Sequence, residues 1–420
     1  MMNAKANLRV DITIVGAGLV GLAAAVALSQ AGYSVALVDS AQSVQLPDAL
    51  PVIDQNAAQD WDQRIYAISP RNAQWLASLG VWQLLNPARI GEMQAMEIWG
   101  DATQTPLHLL ASDVNADHLG FIVEENAVKQ ALMQRVEALT VHTLFDCPCA
   151  KLNVSAHRAV LQLDNWQDLN NQQDLYAQQV IESALLLAAD GANSWVRQQL
   201  DIGVQQKPYE QTAVVANFVA EKSHANIARQ WFMQDASGAS CILAWLPLPD
   251  NKISIVWSVS TQYAEILLKL TAEEFTQQVM TAGNAILGEF KLMAMPAAFP
   301  LVLKKADVLT QGCAVLVGDA AHRIHPMAGQ GVNLGFRDIM DLLEVLNTKN
   351  PYQPVCDRAL LKRYTRMRKA DMLNMLMLTD GLYYLFESHS GIVQKLRSWG
   401  FSAAKYPAIK KMLVAHAIAL

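Results

Sequence analysis

The stretch ITIVGAGLVGLAAAVAL, residues 12–28, decides the fold of this protein. Its first four residues continue an apolar, β-branched run and predict a buried strand, whereas its alanine-rich second half predicts a helix packed on a sheet. Between the two lie Gly16, Gly18 and Gly21, with the spacing G-x-G-x-x-G. The stretch therefore predicts a strand, a tight turn and a helix at the start of an α/β fold.

An uncharged run of this length, preceded by Lys5 and Arg9, is also typical of a signal peptide or a membrane anchor. The glycine spacing argues against both, because a membrane-spanning helix gains nothing from it, and the hydrophobic period changes within the run. The rest of the sequence contains no apolar stretch of comparable length. We therefore expect a cytoplasmic protein, with peripheral association with a membrane as the open alternative.

The three glycines have separate physical roles in a dinucleotide site. The first permits the tight turn, the second lets the backbone approach a pyrophosphate, and the third lets the helix pack closely on the strand. Free amides at the helix start attract the phosphate charge. Asp39 ends a second predicted strand, residues 33–38, roughly 20 residues beyond the glycines, where a carboxylate can bind ribose hydroxyls. The segment predicts FAD or NAD, and an ordinary strand–helix turn followed by a surface acid is the alternative.

Two more apolar strands end in an aspartate at a turn. LLLAADGANSWVR, residues 185–197, contains Asp190-Gly191, and CAVLVGD, residues 313–319, ends in Asp319. Ligands of open α/β folds bind at the carboxyl ends of the strands, so we expect these turns to meet. A glycine-rich turn at 329–333 then opens a helix, whose amides would face the pyrimidine ring of a flavin. The set of turns in this order predicts FAD, with Asp319 on its ribityl chain.

Composition excludes several classes of function. The chain of 420 residues carries 32 Lys and Arg against 38 Asp and Glu, a formal net charge of −6, and so lacks the positive field of a nucleic-acid binder. With 52% hydrophobic and 17% charged residues it does not have the composition of a disordered chain. Its 5 cysteines are scattered without a C-x-x-C pair, which predicts a reducing compartment, no disulfide framework and no metal site.

Four longer segments resemble one family of flavoproteins. They are WDQRIYAISPRNAQWLASLGVW (61–82), LGFIVEENAVKQAL (119–132), DASGASCILAWLPLPD (235–250) and HPMAGQGVNLGFRD (325–338). With the glycine turns, they make the chain similar to the single-FAD-domain aromatic hydroxylases, the p-hydroxybenzoate-hydroxylase-like flavoprotein monooxygenases, and within these to the ubiquinone-biosynthesis branch. The region from residue 360 onward is most similar to the hydroxylases that act late on the quinol ring, at the 6-position.

The resemblance implies an activity and its co-substrates. It implies an FAD-dependent monooxygenase that uses NAD(P)H and O2 to hydroxylate the ring of a polyprenylated quinol or phenol in ubiquinone biosynthesis, through a flavin C4a-hydroperoxide. The protein would position the flavin and exclude water. A second G-x-G-x-x-G is absent from the sequence, which favours transient binding of the nicotinamide cofactor on the FAD domain. Three alternatives stay open: hydroxylation of a small soluble aromatic, a non-catalytic FAD-binding assembly subunit, and a flavin reductase of prenyl double bonds.

The resemblance also implies which residues bind the cofactor. The ADP half of FAD would lie at Gly16, Gly18, Gly21 and Asp39, and the flavin and its phosphates would lie near Arg64. Asp190 and Gly191 belong to a turn that in this family serves both FAD and the nicotinamide cofactor. Asp319 would bind the ribityl chain, and Gly329, Gln330, Gly331, Val332 and Asn333 would face the pyrimidine carbonyl.

Three residues are expected to act at the reacting ring: Pro326, His325 and Arg64. Pro326 would offer its backbone carbonyl next to the ring. Hydroxylation beside a phenol needs a group that helps to remove the phenolic proton, and His325 and His322 are the candidates, with a structural histidine as the alternative for each. Arg64 would position the flavin, with a surface salt bridge as the alternative.

Two positions depart from the family pattern. Glu124-Glu125-Asn126 stands where Glu-Asn-Arg is frequent, so the usual arginine is lost, and Arg323 stands where a small polar residue is more usual. Both positions bear on the same side of the expected pocket.

We expect an α/β protein with a Rossmann-like FAD-binding domain, an interleaved antiparallel-sheet substrate domain and a helical C-terminal segment. The expected divisions are 1–80, 119–204 and 301–350 for FAD binding, 81–118 and 205–300 for the substrate domain, and 351–420 for the helical region. Short alternating segments at 213–221, 241–249 and 252–260 predict the antiparallel strands. Thr271 and Glu274 form a capping box that opens a helix expected to reach Leu287.

Beyond Pro354 the sequence predicts helices with a basic cluster and a methionine-rich apolar stretch. The cluster is typical of a solvated helix face, with contact to anionic lipid or a partner subunit as the alternative. The apolar stretch is typical of a helix core, with a tunnel or an oligomer face for an isoprenoid tail as the alternative. The cluster is Arg358, Lys362, Arg363, Arg366, Arg368 and Lys369, and the stretch is Met372, Leu373, Met375, Leu376, Met377 and residues 382–386.

Overall fold

The computed structural model of the chain describes residues 7–42, 61–100, 105–164, 179–323 and 331–387, together with residues 410, 411 and 414. The helices in these ranges are α1 (Leu19–Gln30), α2 (Pro70–Ser78), α3 (Glu125–Glu137), α4 (Trp195–Gln199), α5 (Thr261–Leu267), α6 (Ala272–Ala282), α7 (Gly331–Asn347) and α8 (Arg358–Glu387).

The strands follow in chain order. They are β1 (Asn7–Val15), β2 (Val35–Val38), β3 (Ile65–Ile68), β4 (Gly91–Met93), β5 (Ala95–Trp99), β6 (Leu107–Leu110), β7 (Gly120–Glu124), β8 (Val141–Leu144), β9 (Cys149–Val154), β10 (Ala159–Leu163), β11 (Val180–Ala188), β12 (Val204–Ala220), β13 (Ile227–Gln234), β14 (Ser240–Pro247), β15 (Lys252–Ser260), β16 (Phe290–Leu292), β17 (Ala297–Ala306), β18 (Thr310–Gln311), β19 (Ala314–Leu316) and β20 (His322–Arg323).

The first sheet aligns the carboxyl ends of the strands that carry the predicted turns. Its order is β18-β19-β11-β1-β2-β8, and β19, β11, β1, β2 and β8 run parallel. The register pairs Val15 with both Val38 and Ala188. The turns that follow these three residues therefore leave the sheet at one edge, where ligands bind in open α/β folds.

Burial on both faces explains why β1 and α1 are so apolar. Ile12 and Ile14 are fully buried, and so are Ala23, Ala24 and Val26 of the helix. Parallel strands covered on both faces are apolar without alternation, and small helix residues allow a close approach to the sheet. The predicted strand–turn–helix unit is therefore confirmed, and the run that resembled a membrane anchor consists of a buried strand and a helix packed in the same core. Among the residues that the structure describes, no helix is long and apolar enough to cross a membrane.

The second sheet is built mainly from antiparallel pairs, as the alternating segments predicted. Its order is β20-β17-β12-β15-β14-β13-β5-β6, with β13 and β5 the parallel pair. One face carries Trp231, Trp245 and Trp257, which pack with Phe275 and Val279 of α6. The opposite face lines a cavity shared with the first sheet's turns. The expected domain boundary at residue 300 falls inside β17, and the division into segments stays a prediction.

The helix after the capping box is shorter than predicted. Thr271 and Glu274 do form the reciprocal capping box, which confirms that part of the prediction. The helix ends at Ala282, however, and the expected end at Leu287 is wrong. Gly283 is the C-cap of the helix, and it packs so closely on the ring of Trp245 that a side chain would not fit. Asn284 then adopts a φ of 56°, which takes the chain out of the helical conformation.

The methionine-rich stretch can be assessed at its first two residues. Met372 is buried in the core cluster that surrounds α7, as a helix core predicts, whereas Leu373 is 50% exposed. The remaining side chains of that stretch lie outside those that the structure describes.

Candidate active site

The first glycine turn is shaped by close backbone contacts. Gly16 has a φ of 105° and faces the backbone of Ala189 and Asp190, so a side chain there would be strained and would collide. A Cβ on Gly21 would overlap the carbonyl oxygen of Gly16. A Cβ on Gly18, in contrast, would meet nothing within 4 Å. Two of the glycines are thus required by the fold itself, and the third borders open space.

Asp39 holds this turn in place. Its Oδ2 accepts a hydrogen bond from the Ala17 amide at 2.5 Å, and its Oδ1 accepts one from the Ala41 amide at 2.8 Å. With Gly16, Lys129 and Trp195, among others, it lines a first cavity of about 540 Å³. A carboxylate at this position can accept hydrogen bonds from ribose hydroxyls that enter the cavity.

Asp190 presents a carboxylate oxygen without a partner. Its Oδ2 accepts a hydrogen bond from the Val196 amide at 2.9 Å, while its Oδ1 is buried and has no hydrogen-bond partner in the described part of the chain. Burial raises the pKa of this carboxyl group. Since an unsatisfied buried acceptor costs about 1–3 kcal/mol, the oxygen favours a ligand that donates a hydrogen bond.

Arg197 joins the second turn to the third. Its side chain is buried, and it donates hydrogen bonds to the carbonyl oxygens of Ala320 at 2.9 Å and of Ala192 at 3.0 Å. The sequence analysis located this arginine just after the Asp190 turn but predicted no function for it. The structure shows that it fixes the distance between the Asp190 and Asp319 turns.

Asp319 opens into a second cavity of about 540 Å³. Loss of contact with water within the protein raises the pKa of its carboxyl group. The positive charges of Arg323, His322 and Arg64 act in the opposite direction and lower it. Arg323, one of the two departures from the family pattern, approaches Asp319 at 4.0 Å, which is longer than a hydrogen bond. The carboxylate therefore faces the cavity with capacity to accept hydrogen bonds from a ligand.

A buried cluster of charged side chains packs against the Asp319 turn on the side of α7 and α8. Asp338 of α7 accepts hydrogen bonds from the Gly318 amide at 2.7 Å and from Arg368 Nε at 2.6 Å, and it lies 2.8 Å from Nε2 of His322. Burial would raise the pKa of Asp338, but His322 and Arg368 outweigh it and hold the pKa below its usual value. Because His322 forms this contact with Asp338, the structure favours a structural role for His322 over the role of proton acceptor.

Arg368 corrects the prediction for the basic cluster. Its side chain is only 1% exposed, and besides Asp338 it contacts Asp341 and Asp371, each at 2.7 Å. A place on a solvated or lipid-facing surface is therefore wrong for this residue. Three carboxylates surround the buried guanidinium, and one of them, Asp371, also pairs with Arg337 at 3.3 Å. Through Asp338 the contact links α8 to the Asp319 turn.

Asp338→Ala is expected to lower the free energy of unfolding by about 3–5 kcal/mol, because it leaves Arg368 buried without its main partner. Urea denaturation followed by circular dichroism measures the change. The matched control is Glu344→Ala on the same helix, where the carboxylate is 59% exposed and pairs with Arg363. That variant should lose less than about 1 kcal/mol. Equal losses in the two variants would contradict the role of the cluster.

Asn333 connects the start of α7 to the segment that contains Arg64. Its Oδ1 accepts hydrogen bonds from the Ser69 amide at 3.0 Å and from Asn72 Nδ2 at 2.7 Å, and its Nδ2 donates to the Ala67 carbonyl at 2.7 Å. Its side chain is therefore used within the protein. Only its backbone amide stays a proposal for contact with a flavin.

Arg64 lies at the mouth of the second cavity. Its side chain is 55% exposed, its Nη1 is 3.3 Å from Oε2 of Glu125, and its guanidinium lies 4.8 Å from the ring centroid of Phe299. Tyr66 lines the same cavity, and burial raises the pKa of its phenol. The position of Arg64 is compatible with both readings made from the sequence, and its role toward a flavin stays a proposal.

The two cavities share the residues Gly18, Ala189 and Gly191. The second one extends from Asp319, Gly331 and Val332 to the open face of the second sheet. Sequence reasoning missed three polar residues on that face, Gln230, Ser254 and Ser258. Strand alternation was the available signal, but it does not tell which face a cavity adjoins.

Some predicted site residues lie outside the described residues. They are His325, Pro326, Gly329 and Gln330.

Among the ranges that the structure describes, no group of three or more His, Cys, Asp or Glu side chains is arranged to hold a metal ion. Cys149 lines the first cavity, and burial raises its pKa to about 12, so its thiol is protonated at neutral pH.

These observations fit an extended dinucleotide. The carboxylate of Asp39 lines the first cavity, the shared residues leave open space beside Gly18, and the second cavity has Asp319 at its wall. The orphan Oδ1 of Asp190 adds an acceptor near the junction. The fold and the site together are those of a dinucleotide-binding protein of the open α/β class.

Comparison with known proteins agrees with this class. A family model described as FAD binding domain matches residues 9–379. The chain is 32% identical over 419 residues to the 3-demethoxyubiquinol 3-hydroxylase of Escherichia coli (strain K12), with 99% of this chain and 100% of the relative covered. It is 30% identical over 446 residues to the mitochondrial ubiquinone biosynthesis monooxygenase COQ6 of Homo sapiens, with 97% and 92% covered. The crystal structure of p-nitrophenol 4-monooxygenase PnpA from Pseudomonas putida DLL-E4 has the same fold, with a TM-score of 0.73, 15% identity and 98% of both chains covered.

The chain therefore belongs to the FAD-binding domain family. It is an FAD-dependent monooxygenase, and the predicted family, fold class and flavin cofactor are confirmed.

Proposed function

We propose that this enzyme hydroxylates the aromatic ring of a polyprenylated quinol or phenol in ubiquinone biosynthesis, with NAD(P)H and O2 as co-substrates. One observation carries the proposal: the second cavity has the Asp319 turn on one wall, and the strands β12, β13, β14, β15 and β17 contribute only uncharged residues to the opposite wall. A ring bound there would lie between the flavin and the sheet. The names of the curated relatives, which are ubiquinone hydroxylases, support the substrate class.

The distribution of charge favours a neutral ring over a small aromatic acid. Four charged side chains line the second cavity. Arg64 and Glu125 lie at the mouth, and Asp319 lies beside Arg323, which β20 carries at the edge of the second sheet. On the second sheet, the described lining residues of β12, β13, β14, β15 and β17 are apolar or neutral. A carboxylate in that part of the cavity would be desolvated without a cation, which is costly. A quinol has no such charge.

FAD, when bound, accepts hydride from NAD(P)H and activates O2. The chain's own residues bind and orient it: Asp39 would bind the ribose, Asp319 the ribityl chain, and the amides of Val332 and Asn333 the pyrimidine carbonyl. The sheet face would cover the reacting ring and limit the access of water to it. The raised pKa of Tyr66 keeps its phenol protonated at neutral pH, so it can donate a hydrogen bond but cannot act as the base. His325 and Pro326 remain our proposals for the proton-accepting group and for the carbonyl beside the ring.

A polyprenyl substrate also has a consequence for location. Its tail is too apolar to diffuse freely through water, so it has to be handed over at a membrane surface or by a carrier complex. We therefore propose peripheral contact through the C-terminal helices. The exposed basic residues of the described part of α8, such as Lys362 and Arg366, would contact anionic headgroups.

Turnover of a short-chain prenyl quinol tests the proposal directly. The FAD-loaded enzyme is supplied with NADH or NADPH and ¹⁸O2, and the product is analysed by mass spectrometry. We expect one labelled hydroxyl on the ring, formed in proportion to reduced nicotinamide consumed. A soluble phenol turned over equally fast would favour the catabolic alternative. Nicotinamide oxidation that no quinol accelerates would favour the non-catalytic one.

Cells that lack the protein supply a second test. We expect them to accumulate one under-hydroxylated quinone intermediate, which lipid extraction and mass spectrometry would identify together with the ring position. Expression of the wild-type chain should restore the quinone pool. A normal quinone pool in the deletion strain would contradict the biosynthetic assignment.

A further inference from the structure

Strand register places one set of residues across the cavity-facing side of the second sheet. Gln230 of β13 pairs with Ala244 of β14, which pairs with Val256 of β15, which pairs with Val215 of β12. All four line the second cavity. Neighbouring residues on each strand point to the opposite face, where Trp231 and Trp257 pack with α6.

Three polar side chains on this face have no hydrogen-bond partner among the residues that the structure describes. Gln230, Ser254 and Ser258 are 6%, 1% and 4% exposed, and all three line the cavity. Within the described part of the chain, no residue forms a hydrogen bond with the side chain of Gln230, Ser254 or Ser258. By contrast, Gln211 on the same sheet donates to the Ser240 carbonyl at 2.8 Å. Polar groups that line a cavity and have no partner in the protein are available to form hydrogen bonds with a ligand.

The spacing of the three residues suits a substituted ring. Ser254 and Ser258 flank Val256 on β15, about 13 Å apart along the strand, and Gln230 lies two strands away, about 10 Å across the sheet. Ala244 lies between them, and its small side chain leaves space above the sheet. The side chains therefore surround an area in which a single ring with several substituents fits.

We propose that Gln230 binds an alkoxy oxygen of the substrate ring, that Ser254 and Ser258 bind its other oxygen substituents, and that the three together fix the orientation of the ring in the second cavity. The inference rests on the proposed function and specifies its substrate as a ring with several hydroxyl or alkoxy groups. A carboxamide donates and accepts hydrogen bonds, and so does a serine hydroxyl, so each can pair with a hydroxyl or an ether oxygen. None of the three carries a charge, which agrees with a neutral ring.

Gln230→Leu tests this assignment, because leucine has a similar volume and no polar atoms. The matched control is Gln234→Leu on the same strand, at an exposed position outside the cavity lining. Each FAD-loaded variant is assayed with a prenyl quinol that carries ring methoxy groups and with an analogue that lacks them. The readouts are KM, hydroxylated product per nicotinamide consumed, FAD content and the Kd from flavin fluorescence.

For Gln230→Leu with the methoxylated quinol, we expect KM and Kd to rise about 10- to 100-fold and the product yield per nicotinamide to fall. With the analogue, KM and Kd of the same variant should differ from those of the wild type by less than about 3-fold. Neither enzyme can form the hydrogen bond with a substrate that lacks the methoxy oxygen. FAD content should be unchanged. Ser254→Ala and Ser258→Ala, which alter little volume, should shift KM in the same direction if Gln230→Leu fails to fold.

Two results would overturn the assignment without touching the proposed function. One is a wild-type enzyme that hydroxylates the quinol while Gln230→Leu and both serine variants keep its KM and coupling. The other is an equal loss on both substrates, which indicates a structural role. If the wild-type enzyme turns over neither substrate, the proposed function fails and the inference fails with it.

Discussion

Asp319→Ala is expected to purify with little flavin and to bind added FAD about 10- to 100-fold more weakly than the wild-type protein. Asp319 opens into the second cavity, and Arg323 at 4.0 Å is too distant to use its hydrogen-bonding capacity. A hydrogen bond from a ligand hydroxyl to a charged acceptor contributes about 1.5–3 kcal/mol, and the substitution removes it. Titration of the apoprotein with FAD, followed by flavin fluorescence, measures the loss.

Asp117→Ala is the matched control for that experiment. Asp117 is an exposed carboxylate on a loop, away from both cavities, so its removal should leave FAD affinity unchanged. The melting temperatures of both apoproteins should stay near that of the wild type. An Asp319→Ala protein that purifies yellow and fully loaded would show that the ribityl contact has been misplaced.

Gly18→Val is expected to fold normally and to lose FAD affinity by at least about 100-fold, since its branched side chain would occupy space that the cofactor needs. Gly18 has a φ of −72°, which any residue can adopt, and an added Cβ meets no protein atom within 4 Å. The residue nevertheless lines both cavities at their junction. A ligand that passes through this junction would collide with the valine side chain.

Gly21→Ala separates this effect from damage to the fold. Its Cβ would overlap the carbonyl oxygen of Gly16, so the variant should be unstable even without cofactor. Comparison of apoprotein unfolding by circular dichroism with FAD titration distinguishes the two glycines. A Gly18→Val protein that retains wild-type FAD affinity would mean that no part of the cofactor passes between the cavities.

The ligand-binding edge of the first sheet was predictable because the signals are local. An apolar run without alternation indicates a strand buried on both faces, and a glycine or aspartate directly after it indicates a turn. Parallel strands bring such turns together without further information, so Gly16, Asp39, Asp190 and Asp319 could be grouped from the sequence. Their contacts with FAD stay proposals.

Contacts between distant elements were harder to predict. Nothing in the basic cluster distinguishes Arg368 from its neighbours; its burial depends on Asp338 and Asp341, which α7 presents from about 30 residues earlier in the chain. Asn333 was predicted only as part of a turn, yet its side-chain oxygen accepts hydrogen bonds from the Ser69 amide and from Asn72. Such pairings follow from packing between helices, which spacing along one segment does not describe.

The polar residues of the second cavity illustrate the same limit in a sheet. Alternation in β13 and β15 places Gln230 and Ser258 opposite the tryptophans of the same strands, but both faces contain apolar residues. Only the register across β12, β15, β14 and β13 assembles Gln230, Ser254 and Ser258 above one cavity. The end of α6 is different, because Gly283 and Asn284 are a visible stop signal that the sequence reading passed over.

A crystal structure of the protein purified with its flavin tests the central claim most directly. We predict a single extended FAD whose ribose contacts Asp39, whose pyrophosphate passes Gly18, whose ribityl chain contacts Asp319 and whose ring system lies in the second cavity facing Gln230. Electron density for FAD at another place in the molecule, with the three turns empty, would contradict the account.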